Sequence, residues 1–210
     1  MLCWWTKLLV ILMTALSTIS KSNRGLYSGS YFDPAAKGTN VVLQSNSLSA
    51  YTTVNSSWCT ARSTTSHSSG KYVVEFSQNV SIDAIYAIYD GAGSLDNYPG
   101  AATTGGGWHF STSASNGTGI TWIGPYPTSS AKSFYMMAID LDSKKAWYAK
   151  DGIWVQGDPA SGTSPSMTWV TNSPLFVAVG LYSNTFEVTC NFGLTPFVGK
   201  VPMGFTAGWI

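Results

Sequence analysis

At 210 residues the chain is long enough for one well-filled core, only 10% of its residues are charged, and its net charge is +1. An average soluble domain has about 25% charged residues, so hydroxyl and amide groups must solvate most of this surface. The eleven lysines and arginines are scattered and form no basic stripe, which argues against a nucleic-acid partner. Aromatic residues reach 14%, a composition common in β proteins of the extracellular space and of virion surfaces.

Residues 1–24 form a hydrophobic leader that differs sharply from residues 25–210, which we interpret as one domain. Within the leader, residues 8–16 are an apolar run that follows Lys7 and precedes small residues. The run has the length of a signal-peptide core and falls short of the roughly 20 residues that a bilayer span requires. Three interpretations stay open: a cleaved signal peptide, an apolar segment that docks onto a partner subunit, and a membrane anchor.

From residue 25 the sequence carries strand signals to its end and shows no helical periodicity. Short turns rich in Gly, Ser and Asn separate the candidate strands, and no amphipathic helix lies between them. This pattern predicts an all-β fold, a two-layer antiparallel β-sandwich. The predicted strands are residues 41–43, 48–51, 58–63, 71–76, 84–89, 134–141, 145–149, 175–181 and 186–192.

Residues 134–150 predict a β-hairpin closed by a polar turn. The first arm has hardly a polar residue on either face, which is typical of a strand that is covered on both sides. In the second arm, Trp147 and Ala149 share one face. We therefore expect the Trp147 side chain to point into the core between the two layers.

Two regions interrupt the succession of strands, residues 90–132 and residues 157–174, and we predict both to be long loops. Long loops on a rigid β scaffold commonly carry recognition, and aromatic side chains among Ser, Gly and Asn bind without much charge. We expect Tyr98 and Tyr126, each beside a proline, to be exposed, whereas Trp108 either binds or covers the sandwich. The candidate binding residues are Tyr98, Trp108, His109, Tyr126 and, from the second region, Asp158.

The three cysteines, Cys3, Cys59 and Cys190, are too few and too far apart for a zinc site or a redox pair. Cys59 and Cys190 each lie in a predicted strand. They are either two buried thiols that act as small apolar side chains or the partners of a disulfide.

The acidic residues favour structural roles over catalysis. The two glutamates, Glu75 and Glu187, are far apart in sequence, and the paired carboxylates of a glycosidase are therefore missing. Asp140 and Asp142 suggest a calcium or acid–base pair, but Asp at the mouth of a hairpin commonly accepts hydrogen bonds from the turn backbone. No nucleophile motif accompanies the two histidines. We expect no enzymatic activity, no metal and no cofactor.

Short motifs in a fixed order resemble the SPRY domain family between residues 31 and 205. The opening at residues 32–38, FDPAAKG, is similar to the SPRY-type modules of bacteriophage and bacterial proteins. The further motifs are WCTAR at 58–62, SGKYVVEF at 69–76, YPG at 98–100, GW at 107–108, AIDLD at 138–142, KDG at 150–152, GDP at 157–159, residues 175–182, and NFG at 191–193.

This resemblance implies a concanavalin-like sandwich whose edge loops bind a protein segment or, less often, a glycan, without catalysis. It also implies that residues 90–132 and 157–174 lie at one end of the sandwich, where both meet one partner. Cys59 and Cys190 stand where such modules are expected to have small residues, a departure that adds some weight to the disulfide.

The sequence thus predicts a virion structural or adhesion protein of a bacteriophage, a SPRY-like module in multiple copies on a capsid or tail. Its expected partners are a neighbouring virion subunit or a host-surface protein or glycan, with no nucleic acid. Membrane contact is expected only if the leader is retained as an anchor. The alternative is a secreted or surface-anchored bacterial recognition module, lectin-like or protein-binding.

Overall fold

A computed structural model describes residues 29–79, 84–101, 105–109, 113–116, 119–123 and 132–210, with residues 108–109 and 113–116 described by their backbone alone. In these ranges the regular secondary structure is β-strand apart from one short 3-10 helix, Ser45–Ser47. In chain order the strands are β1 (Phe32–Lys37), β2 (Val41–Gln44), β3 (Ser49–Thr52), β4 (Cys59–His67), β5 (Lys71–Gln78), β6 (Ala84–Tyr89), β7 (Gly105–His109), β8 (Ser113–Asn116), β9 (Ile120–Trp122), β10 (Phe134–Asp140), β11 (Lys145–Lys150), β12 (Ile153–Trp154), β13 (Met167–Trp169), β14 (Leu175–Leu181), β15 (Val188–Asn191) and β16 (Thr206–Ala207).

The strands form two sheets. The six-stranded sheet has the order β1-β4-β14-β6-β7-β8, and the ten-stranded sheet follows the path β2-β3-β15-β5-β10-β11-β13-β9, with β12 on β11 and β16 on β5. The described pairings are antiparallel except the one between β16 and β5, which is parallel. The predicted two-layer antiparallel sandwich is confirmed. No helix in the described ranges is long and apolar enough to cross a membrane.

The main core lies between the two sheets. Side chains of β5 and β10 meet those of β6 and β14 there, and the rings of Phe76 and Tyr86 stack with centroids 4.3 Å apart. Tyr148 donates a hydrogen bond from its hydroxyl to the Tyr86 carbonyl at 3.1 Å, which ties the sheets together across the core. Burial of such large aromatic side chains supplies most of the stabilisation that holds the layers together.

The β10–β11 hairpin has the predicted register, with Asp140 paired with Lys145 and Tyr135 with Lys150. Strand β10 is covered on both faces, as its lack of polar residues predicts. The predicted orientation of Trp147 is wrong, because Tyr148 faces the inter-layer core and Trp147 faces the opposite side of the sheet. Both faces of β11 are apolar, so the two-residue alternation alone does not reveal which face looks inward.

The C-terminal segment, residues 194–210, covers the outer face of the ten-stranded sheet. Phe197, Val201 and Phe205 pack against an outer cluster that consists of Val73, Met136, Ala138, Trp147 and Ala149. Near the end of the segment, Trp209 is fully buried in the main core and donates its indole N–H to the Thr65 carbonyl at 2.8 Å. This segment is therefore the second cover that the apolar strand β10 requires.

The two predicted long loops contain strands that sequence reasoning missed. Strands β7, β8 and β9 fall within residues 90–132, and β13 falls within residues 157–174. Glycine has a low intrinsic preference for β-strands, yet Gly107 pairs with Ala87 of β6. A β-carbon at Gly107 would collide with the Tyr86 carbonyl oxygen. Strand β7 therefore has a glycine at position 107 because β6 lies too close for a side chain there.

Candidate functional site

The predicted binding residue Tyr98 is half-buried instead of exposed. It packs, together with Trp58 and Leu95, against an apolar cluster on the outer face of the six-stranded sheet formed by Ile85, Ala87, Tyr89 and Ala178. The same stretch is held down by backbone contacts, since Thr60 donates its N–H to the Leu95 carbonyl at 2.7 Å. Residues 90–101 therefore cover this sheet face.

Trp108 and His109 lie on strand β7, where their backbones pair with Tyr86 and Ile85. Their side chains, and Tyr126 as a whole, lie outside the described part of the structure. Binding by these three residues stays a prediction.

Asp158 is exposed and caps a tight turn, with its Oδ1 accepting the Ala160 N–H at 2.9 Å. The turn leads to Thr163, whose carbonyl accepts the indole N–H of Trp147 at 2.8 Å on the outer side of the ten-stranded sheet. Residues 157–163 and residues 90–101 thus cover opposite outer faces of the sandwich. The two predicted regions do meet elsewhere, since β9 of the first region pairs with β13 of the second, with Trp122 opposite Met167. Binding of one partner by both regions stays a prediction.

Cys59 and Cys190 are free, buried thiols, so the disulfide alternative is not formed. Cys59 lies on β4 of the six-stranded sheet and donates its thiol to the Thr52 hydroxyl at 3.1 Å, whereas Cys190 lies on β15 of the other sheet. Burial raises the pKa of Cys59, and it raises the pKa of Cys190 further. Both thiols stay protonated and unreactive at neutral pH.

The carboxylates of Asp140 and Asp142 form hydrogen bonds within the protein, Asp142 through its Oδ1 to the Gly70 N–H. Asp140 accepts the Ser143 N–H at 3.0 Å and pairs with the Lys71 ammonium at 2.9 Å. Burial alone would raise the pKa of Asp140, but the hydrogen bonds from Lys71 and Ser143 outweigh it and hold the pKa below its usual value. Within the described ranges no group of three or more His, Cys, Asp or Glu side chains could hold a metal ion.

Strand register brings three connections together at one end of the sandwich. Asp140 pairs with both Lys71 and Lys145, so the β4–β5 turn and the β10–β11 turn are neighbours. Leu175 pairs with His67, so the β13–β14 connection reaches the same end. The three connections are neighbours because the strands that they join end at the same edge of the sandwich.

A cleft of about 300 Å³ opens between these connections, and we call it the end cleft. Its base is apolar and consists of Leu141, Trp169 and Leu175, which are only 6%, 5% and 1% exposed. The remaining lining is polar and consists of Ser68, Asp142, Lys144, Thr171, Asn172 and Ser173. Polar groups converge above a small apolar base, so the surface that the cleft presents is mainly polar.

Hydrogen bonds between the connections hold the walls of the end cleft. Asp142 accepts the Gly70 N–H through Oδ1 at 2.9 Å, and Leu141 donates its N–H to the Gly70 carbonyl at 2.9 Å. Lys144 donates from Nζ to the Val170 carbonyl at 3.0 Å. The cleft is therefore braced before any ligand arrives, which lowers the entropic cost of binding.

Sequence reasoning missed the end cleft because it is assembled from three turns that are far apart along the chain. The second predicted region contributes residues 171–173 to the cleft, and the hairpin turn contributes Asp142 and Lys144. Polar residues at the ends of consecutive strands were the available signal, but strand order is needed to tell which turns meet.

No protein-family model matches the sequence, and no curated protein is similar to it. Solved structures of SPRY domains do match the fold. The SPRY domain of human HERC1 superimposes with a TM-score of 0.57 at 12% identity, over 79% of this chain and 99% of that domain.

Two further structures agree. The TRIM65 PSpry domain matches with a TM-score of 0.56 at 14% identity, over 82% of this chain and 98% of its own. A human SPRY domain matches with a TM-score of 0.52 at 18% identity, over 75% of this chain and 98% of its own. The chain has a SPRY-like fold. Because the sequence identities are this low, the similarity to these domains shows the architecture alone.

Proposed function

We propose that the chain is a non-catalytic binding module whose end cleft takes up a segment of a protein partner. The observation that carries the proposal is the cleft itself, a braced concavity with an apolar base and polar walls at the end of a rigid sandwich. Its lining offers hydroxyls, an amide, one carboxylate and one ammonium, a set suited to hydrogen bonding a peptide segment.

We place this module on the capsid or tail of a bacteriophage, where it holds a neighbouring subunit or a host-surface ligand. The support is the phage-like opening at β1 and the apolar leader, interpreted as a docking segment. The described SPRY-like fold suits such a role, because a β scaffold of two packed sheets can present its loops to a partner.

Selection from a random peptide display library tests the proposal. The full chain is immobilised, and the selected peptides are measured against the protein and against a Ser173→Trp variant, which fills the end cleft with an indole. We expect the selected peptides to lose about tenfold or more in affinity for Ser173→Trp, because the bulky ring occupies the space that a bound segment needs.

The matched control is Gln44→Trp, which adds the same ring at an exposed position on strand β2. Peptides should bind this variant as they bind the unmodified chain. A selection that yields no binder above background, or binders that ignore Ser173→Trp, would contradict the proposal.

A further inference from the structure

We infer that the partner segment places an arginine side chain in the end cleft, with Asp142 as its main hydrogen-bond acceptor. This inference rests on the proposed function and adds the chemistry of the ligand group. It follows from which polar groups of the cleft are already satisfied by the protein and which are left for a ligand.

Asp142 has one carboxylate oxygen to spare. Its Oδ1 accepts the Gly70 N–H at 2.9 Å, whereas Oδ2 has no hydrogen-bond partner among the described residues. The residue is exposed, and in the described part of the chain it takes part in neither of the two ion pairs. A fixed, exposed carboxylate that lacks a cation favours a ligand that brings one.

The neighbouring groups extend this acceptor site. In the described ranges no hydrogen bond uses the hydroxyl of Ser68 or Ser173 or the side-chain amide of Asn172, and all three line the cleft. Each offers an oxygen that can accept. A guanidinium carries five N–H donors in a planar fork, so it matches several acceptors around one opening better than a single point charge does.

Lys144 is the one cation of the cleft lining, and its Nζ donates one of its three N–H groups to the Val170 carbonyl at 3.0 Å. This hydrogen bond fixes the ammonium but leaves its charge, so Asp142 and Lys144 together give the lining no net charge. The feature that favours a guanidinium is therefore the number of acceptors around Asp142.

The apolar base suits the rest of an arginine side chain. Leu141, Trp169 and Leu175 form the base beneath the polar rim, with little surface of their own exposed. Arginine lays its methylene stem along apolar surface while its head group stays in a polar, wet environment. The end cleft offers both surfaces within one opening of about 300 Å³.

The test uses the tightest peptide from the display selection, remade with each arginine replaced in turn by Lys, Gln or Glu. Affinities are measured for the full chain and for Asp142→Asn, whose amide oxygen can still accept the Gly70 N–H. We expect Asp142→Asn to weaken the arginine peptide about tenfold or more and to leave the glutamine peptide unchanged, because only the charged pair is lost.

Glu187→Gln is the matched control, since it also removes one negative charge but precedes β15 at the opposite end of the sandwich. It should leave the affinity for the arginine peptide unchanged. A thermal melt of each variant shows that the protein is folded.

Four results would overturn the inference: selected peptides without arginine, a lysine peptide that binds as tightly, an Asp142→Asn variant that binds the arginine peptide normally, or equal losses with Glu187→Gln. Each can occur while peptides still depend on the cleft through Ser173→Trp, and the proposed function then stands. If no peptide depends on the cleft, the proposed function fails as well.

Discussion

At the scale of single residues, His67 is a histidine whose ring packs against aromatic side chains. It is the last residue of β4, and its ring stacks on the Tyr72 ring with centroids 4.4 Å apart and meets the edge of the Trp209 ring with centroids 4.7 Å apart. Its Nε2 atom is buried and has no hydrogen-bond partner in the described structure. Burial lowers the pKa of His67, because a charged imidazolium loses its hydration there.

This lowered pKa predicts a pH-dependent stability. The unfolded chain binds a proton at His67 once the pH falls below about 6.5, whereas the folded chain does so at a lower pH. The stabilisation is therefore complete above that pH and declines as the pH falls towards the folded-state pKa. Urea unfolding of the full chain between pH 8 and pH 5 should show the decline, and His67→Phe should remove part of it.

The comparison with His109→Gln separates the two histidines of the chain. The His109→Gln variant should keep the part of the loss of stability at low pH that His67 causes. If the protein and His67→Phe lose stability in parallel as the pH falls, then His67 is not the group responsible.

At the scale of elements, the C-terminal segment depends on two local features. Glu75 is buried on β5, and its carboxylate accepts the N–H groups of Val198 at 3.1 Å and Gly199 at 2.9 Å. Gly199 itself passes directly over β10, where an added β-carbon would collide with the Met136 sulfur and lie 2.9 Å from the Phe134 ring. At Gly199 the backbone itself, without a side chain, is thus the contact surface on β10.

Gly199→Ala should therefore destabilise the protein by about 1–3 kcal/mol, the usual cost of adding a methyl group to a closely packed site. The free energy of unfolding from denaturant titration measures it. Lys200→Ala, at the exposed neighbouring position, should cost about 0.5 kcal/mol or less. A Gly199→Ala variant as stable as the unmodified chain would show that the segment does not press on β10.

At the scale of the whole molecule, one main core and two outer clusters share the same strands. Residues of β5 and β10 alternate between the main core and the outer cluster under the C-terminal segment, and β6 and β14 do the same for the cluster around Tyr98. No hydrophobic boundary divides the described sandwich, because every outer cluster rests on a strand that also builds the main core.

This sharing predicts one cooperative unfolding transition. Far-ultraviolet circular dichroism, which reports on the sheets, and tryptophan fluorescence, which reports on the buried indoles, should give the same midpoint in urea. The indoles of Trp147 and Trp209 probe different sides of the ten-stranded sheet, so the test covers both of its faces. Two separated transitions would mean that the outer layer unfolds independently.

The sequence by itself determined nine of the sixteen described strands and the class of fold. Each of the nine predicted strands is present with its ends shifted by four residues or fewer, because apolar alternation and turn residues are local signals. The both-sided burial of β10 was also readable, since the strand has an apolar run before it reaches Asp140. The SPRY-like order of motifs agreed with the architecture that the solved SPRY domains share.

Only the tertiary structure decided which face of β11 looks inward, what covers the outer sheet faces, and where the end cleft lies. Trp147 and Tyr148 are equally apolar in pattern, and their opposite orientations depend on packing against partners distant in sequence. The pairing of β7 with β6 needs a glycine at position 107, because the Tyr86 carbonyl leaves no room for a β-carbon there. The end cleft joins Asp142 to Ser173 through strand order, a long-range property that no local pattern contains.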